Sequence, residues 1–172
     1  MQSNKVKDLP KLLLPNLRRL DLSSNGLDRV SEEFDGLEKL EFLDLASNNL
    51  SNISNLRNMP ELRELLVNNN NLRKFVGLEG CTNIQILNLK ANEISHFEEE
   101  IPALENLKML NLQNNRLATM EEIEKLKDYA LLETLVLSFN PFVDNNKDSY
   151  MYQLIHRFPT CQTINSTKVP PL

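Results

Sequence analysis

Residues Leu37 to Leu50 read LEKLEFLDLASNNL, and Leu40, Leu43, Leu45 and Leu50 within them stand at fixed distances from Asn48. The arrangement recurs. Asn25, Asn48, Asn70, Asn92, Asn115 and Asn140 set its phase, so successive copies lie 23, 22, 22, 23 and 25 residues apart. Eight residues before each asparagine stand Leu17, Leu40, Leu62, Ile84, Leu107 and Leu132, and five before stand Leu20, Leu43, Leu65, Leu87, Leu110 and Leu135. Three before come Leu22, Leu45, Val67, Leu89, Leu112 and Leu137, and two after come Leu27, Leu50, Leu72, Ile94, Leu117 and Phe142. Six copies in register exclude chance periodicity. One copy cannot bury its apolar side alone, so the copies must stack.

The columns predict an α/β solenoid, a curved right-handed superhelix with a parallel sheet on its concave face. Each strand pairs with its counterpart one turn on, about 4.8 Å away, and the leucines form a continuous inner stack. The asparagine stands where the chain bends away from the strand. Its amide both donates and accepts, which suits backbone groups that the bend leaves unpaired, so the six asparagines are structural. Spacings of 22 or 23 residues leave little room for a helix on the convex side, and extended or 3-10 segments are expected there. Val30, Phe34, Ile53, Leu56, Phe75, Leu78, Phe97, Ile101, Met120 and Ile123 would pin that side to the core. The longer fifth interval is different, because Met120 to Tyr129 has the spacing of a short α-helix.

The copies divide the chain into residues 1–13, a partial repeat or degenerate N-terminal cap, residues 14–142, six repeats, and residues 143–172, a C-terminal cap with a helix. In the first segment Asn4, Val6 and Leu9 hold the asparagine, plus-two and plus-five slots. In the last, Met151, Leu154, Ile155 and Phe158 share one helical face before Pro159, and such a helix would cover the last strand's open edge.

The template L-x-x-L-x-L-x-x-N-x-L is that of leucine-rich repeats. Copies such as LEFLDLASNNLSNISNL resemble the short intracellular class typified by the regulatory subunit of protein phosphatase 1. The ending YMYQLIHRFPTCQTIN is similar to that class's cap, with Tyr150, Phe158, Pro159, Ile164 and Asn165 in corresponding places and Cys161, Asn165 and Ser166 departing from it. The segment LETLVLSFNPFVDNNKDSYMYQLIHRFP, with the closing VPPL, also resembles the final repeat of the nuclear mRNA export receptor's leucine-rich domain. These resemblances imply the fold across nearly the whole chain. For function they imply only a binding module, since such repeats serve unrelated partners.

Bulk properties narrow the class. The 172 residues carry a formal net charge of -5, which disfavours phosphate-driven nucleic-acid binding. Cys81 and Cys161 fall in apolar slots and read as buried thiols, Cys81 in the slot held elsewhere by Leu14, Met59 and Leu104. The opening MQSNKVKDLPK has no apolar run of a signal peptide, and no stretch reaches membrane-spanning length. An intracellular, cytoplasmic or nuclear monomer without membrane contact is expected. Glycosylation triplets at Asn49, Asn52 and Asn165 are frequent by chance in so asparagine-rich a chain.

The side chains between the leucines point to the concave side. Phe42, Leu66, Ile86, Met109 and Val136, with Phe139 adjoining, form an apolar band there, rimmed by Arg19, Asp44, Asn88, Lys90 and Asn111. Contiguous apolar surface of this kind marks protein interfaces, and this outweighs self-packing as its explanation. The two histidines, His96 and His156, lack partners at ligand spacing, and the four glycines make no phosphate loop. The acidic run Glu98 to Glu100 and the pair Glu121 and Glu122 read as solvated convex surface. The chain is therefore expected to be a non-catalytic scaffold or adaptor with no cofactor and no metal, holding a protein partner on its concave sheet. Membership of an RNA-processing or mRNA-export complex is the first alternative, and a fragment of a secreted recognition receptor the second.

Overall fold

The computed structural model describes residues 4, 6–7, 12, 14–30, 34, 36–57, 59–145 and 149–170. Six short strands, β1 (Arg19–Asp21), β2 (Phe42–Asp44), β3 (Glu64–Leu66), β4 (Ile86–Asn88), β5 (Met109–Asn111) and β6 (Thr134–Val136), pair in sequence order as a parallel sheet. Register follows the repeat, since Leu20, Leu43, Leu65, Leu87, Leu110 and Leu135 stand opposite one another in turn. These strands bound five complete turns of a curved solenoid. The leucine columns fill its interior, with Leu43, Leu65, Leu87, Leu110 and Leu135 fully buried.

The asparagine ladder joins the turns. Asn92 Nδ2 donates to Leu89 O of its own turn and to Val67 O of the turn before, both at 3.0 Å, while its Oδ1 accepts from Leu72 N at 3.0 Å. Asn48, Asn70, Asn115 and Asn140 repeat this three-way contact. Asn25 Oδ1 accepts from Val6 N at 3.2 Å. Leu9, assigned to the plus-five slot, lies outside the described residues.

The convex arcs are built mainly from turns and irregular backbone, as the short repeats require, and two features depart from the sequence reading, the first in the arc that follows β5. There, α1 (Met120–Glu124) gives way to a 3-10 turn (Lys125–Asp128), so the expected single helix is split. After β6 comes α2 (Pro141–Asn145), which starts on a proline that loses no helix hydrogen bond at that position. Lastly, the edge of β6 is not covered by the cap helix α3 (Tyr150–Arg157). It is extended by β7 (Thr163–Ile164), which pairs parallel to β6 and turns back antiparallel as β8 (Thr167–Lys168). Helix α3 packs on β7 instead, with Leu154 and Phe158 buried.

The closing hairpin uses residues that the family resemblance left as departures. Asn165 and Ser166 both have positive φ, 48° and 67°, the pair of left-handed residues that a tight two-residue hairpin requires. Asn165 Oδ1 accepts from Leu137 N at 2.6 Å and Ser138 N at 2.9 Å, bonds that tie the hairpin turn to the residues following β6.

Candidate functional site

The strands are three residues long, so each presents two side chains outward around one buried leucine. Phe42, Leu66, Ile86, Met109 and Val136 all face out, half-buried except for Ile86, which is 36% exposed. One apolar side chain therefore stands on each of five successive strands. In register, Phe42, Ile86 and Met109 share one column with Glu64 and Thr134, while Leu66 and Val136 share the next with Asp44, Asn88 and Asn111. The band is a zigzag, about 19 Å long at the interstrand spacing.

The band's N-terminal end is partly occupied. The Arg19 guanidinium lies 4.0 Å from the centre of the Phe42 ring, a cation–π contact that covers the ring from above. Of the five band residues, Ile86 is the most exposed. Lys90 is exposed beside them. Glu64, which the sequence reading left out of the site, stands between Phe42 and Ile86 in register and has no ion-pair partner among the described residues. A signal for it was present, since a lone carboxylate interrupts an otherwise apolar run of that column.

Three rim residues do a structural job as well. Asp44 Oδ1 accepts from Ala46 N at 2.8 Å, Asn88 Oδ1 from Lys90 N at 3.1 Å, and Asn111 Oδ1 from Gln113 N at 3.0 Å. Asp21 Oδ1 does the same with Ser23 N and adds its hydroxyl. Short acceptor side chains at this slot form Asx turns that tie the strand to the bend. Leu66 and Val136 are the two positions of the column that give up this bond for an apolar surface.

The carboxyls of this column titrate in opposite directions. The bonds from Ser23 hold Asp21 below its ordinary range. Burial pushes Asp44 up against the bond from Ala46, and neighbouring Asp21 adds to the rise. A carboxyl raised on folding is protonated more readily in the folded chain, so stability falls as pH climbs through the interval between its unfolded and folded values. Asp44→Asn keeps the acceptor and removes the half-buried charge. Its melting temperature is expected to exceed that of the parent near neutral pH and to converge with it at about pH 4. A constant difference across that range in a thermal denaturation series would remove Asp44 as its cause.

Phe139 differs from every equivalent residue. The residue before each ladder asparagine has positive φ, and the others are Ser24, Ser47, Asn69, Ala91 and Asn114. Small residues and asparagine tolerate this conformation; a bulky aromatic is strained in it. Phe139 nevertheless adopts φ 60° with 66% of its surface exposed. Neither backbone preference nor burial accounts for an aromatic ring there.

Elsewhere, Glu122 is not the simple solvated residue expected, because its Oε2 accepts from Phe97 N at 2.7 Å and anchors α1 to the preceding arc. Leu14 is exposed, unlike Met59, Cys81 and Leu104 in the same slot. Cys81 and Cys161 are both buried and unpaired, and burial pushes their thiols up, Cys161 to about 11. Among the described residues no helix is long and apolar enough to cross a membrane.

Comparison with known proteins fits this architecture. Residues 15–72 match the model of the leucine rich repeat family. Leucine-rich repeat-containing protein 23 of Bos taurus is 32% identical over 159 residues, covering 89% of this chain and 45% of that protein. The probable U2 small nuclear ribonucleoprotein A' of Drosophila melanogaster is 27% identical over 152 residues, covering 88% of this chain and 49% of that protein. The chain thus spans about half the length of these relatives. The solved structure of the Leptospira interrogans protein LIC12759 superimposes with a TM-score of 0.73 at 26% identity, over 87% of this chain and 37% of that one. With the ladder intact through every turn and relatives matched over most of its length, the chain is a leucine-rich repeat protein.

Proposed function

We propose that the chain is a non-catalytic adaptor that holds a protein partner on its concave sheet. The observations that carry this reading are the zigzag of Leu66, Ile86, Met109 and Val136, two of which displace a turn-forming acceptor, and the strained, exposed Phe139 that follows Val136 in the chain. Strain kept at an exposed aromatic is the mark of a residue retained for binding. Leucine-rich repeats generally mediate protein–protein interaction, and a band of about 19 Å suits a segment of about 13 helical residues laid across the strands. Two buried unpaired thiols support an intracellular setting, cytoplasmic or nuclear, and the adaptor is taken to act as a monomer.

Affinity purification with the intact chain beside Ile86→Glu and Met109→Glu tests the reading. Each substitution is expected to weaken partner binding by at least about 2 kcal/mol, as for a central interface residue. Retention of every partner by both variants, with the fold intact by circular dichroism, sinks it. Phe139→Asn separates binding from folding. It should raise stability by about 1 kcal/mol by relieving backbone strain, while lowering partner affinity. A Phe139→Asn chain that is no more stable, or that binds as well, contradicts the role given to this ring.

A second reading, membership of an RNA-processing complex, is favoured by the likeness to the Drosophila ribonucleoprotein relative. It predicts retention on homopolymer RNA that falls steeply with salt, whereas the adaptor reading predicts binding that survives moderate salt and disappears with Ile86→Glu.

A further inference from the structure

The fifth interval, the longest of the five, leaves a groove on the convex side. Residues 99–105 run as extended and turning backbone, and α1 with its 3-10 turn stands alongside them, so the two arcs enclose a groove of about 720 Å³. Its floor is apolar. Pro102, Leu104 and Tyr129 are buried, Ile101 is half-buried, and the Tyr129 hydroxyl donates to Pro102 O at 3.0 Å, which fixes the two walls relative to each other.

The rim is acidic and largely unneutralised. Glu99, Glu100, Glu105, Glu121, Glu124 and Asp128 line the groove against Lys125 and Lys127. Lys125 is turned inward, donating to Phe97 O at 2.8 Å and pairing with Glu122 at 3.3 Å. Glu124 pairs with Arg157 at 2.8 Å, but the other five rim carboxylates have no ion-pair partner among the described residues. Outside the groove the same surface does supply cations, since Glu93 meets Arg73 and Arg116, and Glu98 meets Lys74. An apolar floor under unpaired carboxylates complements a side chain with an aliphatic stem and a cationic head.

We propose that this convex groove docks a short basic segment of a second protein, its lysine or arginine stems on Ile101 and Pro102 and their heads on the acidic rim. Nucleic acids and anionic lipid surfaces are repelled by the same charge. The groove is separate from the concave sheet, so the adaptor would hold two partners on opposite faces.

The probe is a labelled synthetic peptide of interleaved lysine and leucine, titrated against the full chain by fluorescence anisotropy at physiological salt. Ala103→Trp fills the groove from an exposed position and keeps every charge, and the triple variant Glu99→Gln/Glu100→Gln/Glu121→Gln keeps the shape and removes charge. Each is expected to weaken the peptide by about tenfold or more, with Ile86→Glu leaving it unchanged. Unchanged affinity in Ala103→Trp with the fold intact by circular dichroism overturns the proposal. So does equal binding of a glutamate–leucine peptide, equal binding of oligolysine without leucine, or loss of binding in Ile86→Glu.

Discussion

Asn92→Ala is expected to cost about 3 kcal/mol, while Asn25→Ala costs about 1 kcal/mol. The difference follows from what each amide holds. Asn92 is buried and accepts from Leu72 N, and it donates to Val67 O and Leu89 O. Those two carbonyls keep a second donor when Asn92 is lost, because Val67 O also receives Asn70 and Leu89 O also receives Asn115. Leu72 N loses its acceptor inside a closed interior, and that orphaned donor dominates the cost. Asn25 is only half-buried, so water can replace much of what it supplies.

Asn92→Asp sharpens the test, since a carboxylate keeps the acceptor for Leu72 N but turns an oxygen toward two carbonyls. It should be worse than alanine near neutral pH and should recover as pH falls and the acid becomes a donor again. Urea denaturation of the variants at two pH values reads both effects. If Asn92→Asp shows no gain in stability on acidification relative to Asn92→Ala, the amide is not donating as described.

The ladder explains why the fold could be read from the sequence. A solenoid repeats one local solution, so Leu65 or Asn70 can be placed by its distance from equivalents in other turns, without knowing any long-range contact. The outward direction of Phe42, Leu66 and Ile86 follows from the same phase. What does not repeat was not legible. The β7 and β8 hairpin depends on Asn165 and Ser166 taking left-handed conformations once, at the chain's last turn, where no column of equivalents exists to reveal it. Dual roles were hidden too. Asp44, Asn88 and Asn111 read as rim residues because they face the concave side, and only the short distances to Ala46, Lys90 and Gln113 reveal them as turn-formers. Phe139 adjoins the band by its place in the repeat, but an aromatic ring carried on a left-handed backbone has no counterpart in the other turns.

Gly36 and Gly77 show the same limit, and substituting them is expected to give unequal results. Both have positive φ, 90° and 88°, so alanine strains either site by about 1 kcal/mol. At Gly36 no atom of the described residues lies within 4 Å of an added Cβ, and the cost should end there. At Gly77 the added Cβ would fall 2.3 Å from Ser54 Cα and 2.8 Å from Ile53 O and Ser54 N, all backbone atoms of the preceding arc. Backbone cannot rotate away as a side chain can. The two arcs must separate, and overpacking of this kind adds about 1 to 3 kcal/mol. Gly77→Ala should therefore lose about 3 kcal/mol in all against about 1 kcal/mol for Gly36→Ala. Hydrogen exchange should report the separation directly, with faster exchange at Leu56, whose N–H donates to Ile53 O at 3.0 Å beside the intruding methyl. Because the concave strands and convex arcs are the two sides of the same turns, wedging the arcs apart also tightens the sheet's curvature between β2 and β4, where Phe42, Leu66 and Ile86 stand. Gly77→Ala should then weaken a partner held on that face although no contact residue has changed, and Gly36→Ala should not. Equal stability losses in the two variants would mean that the arcs carrying Ser54 and Gly77 do not meet at backbone distance.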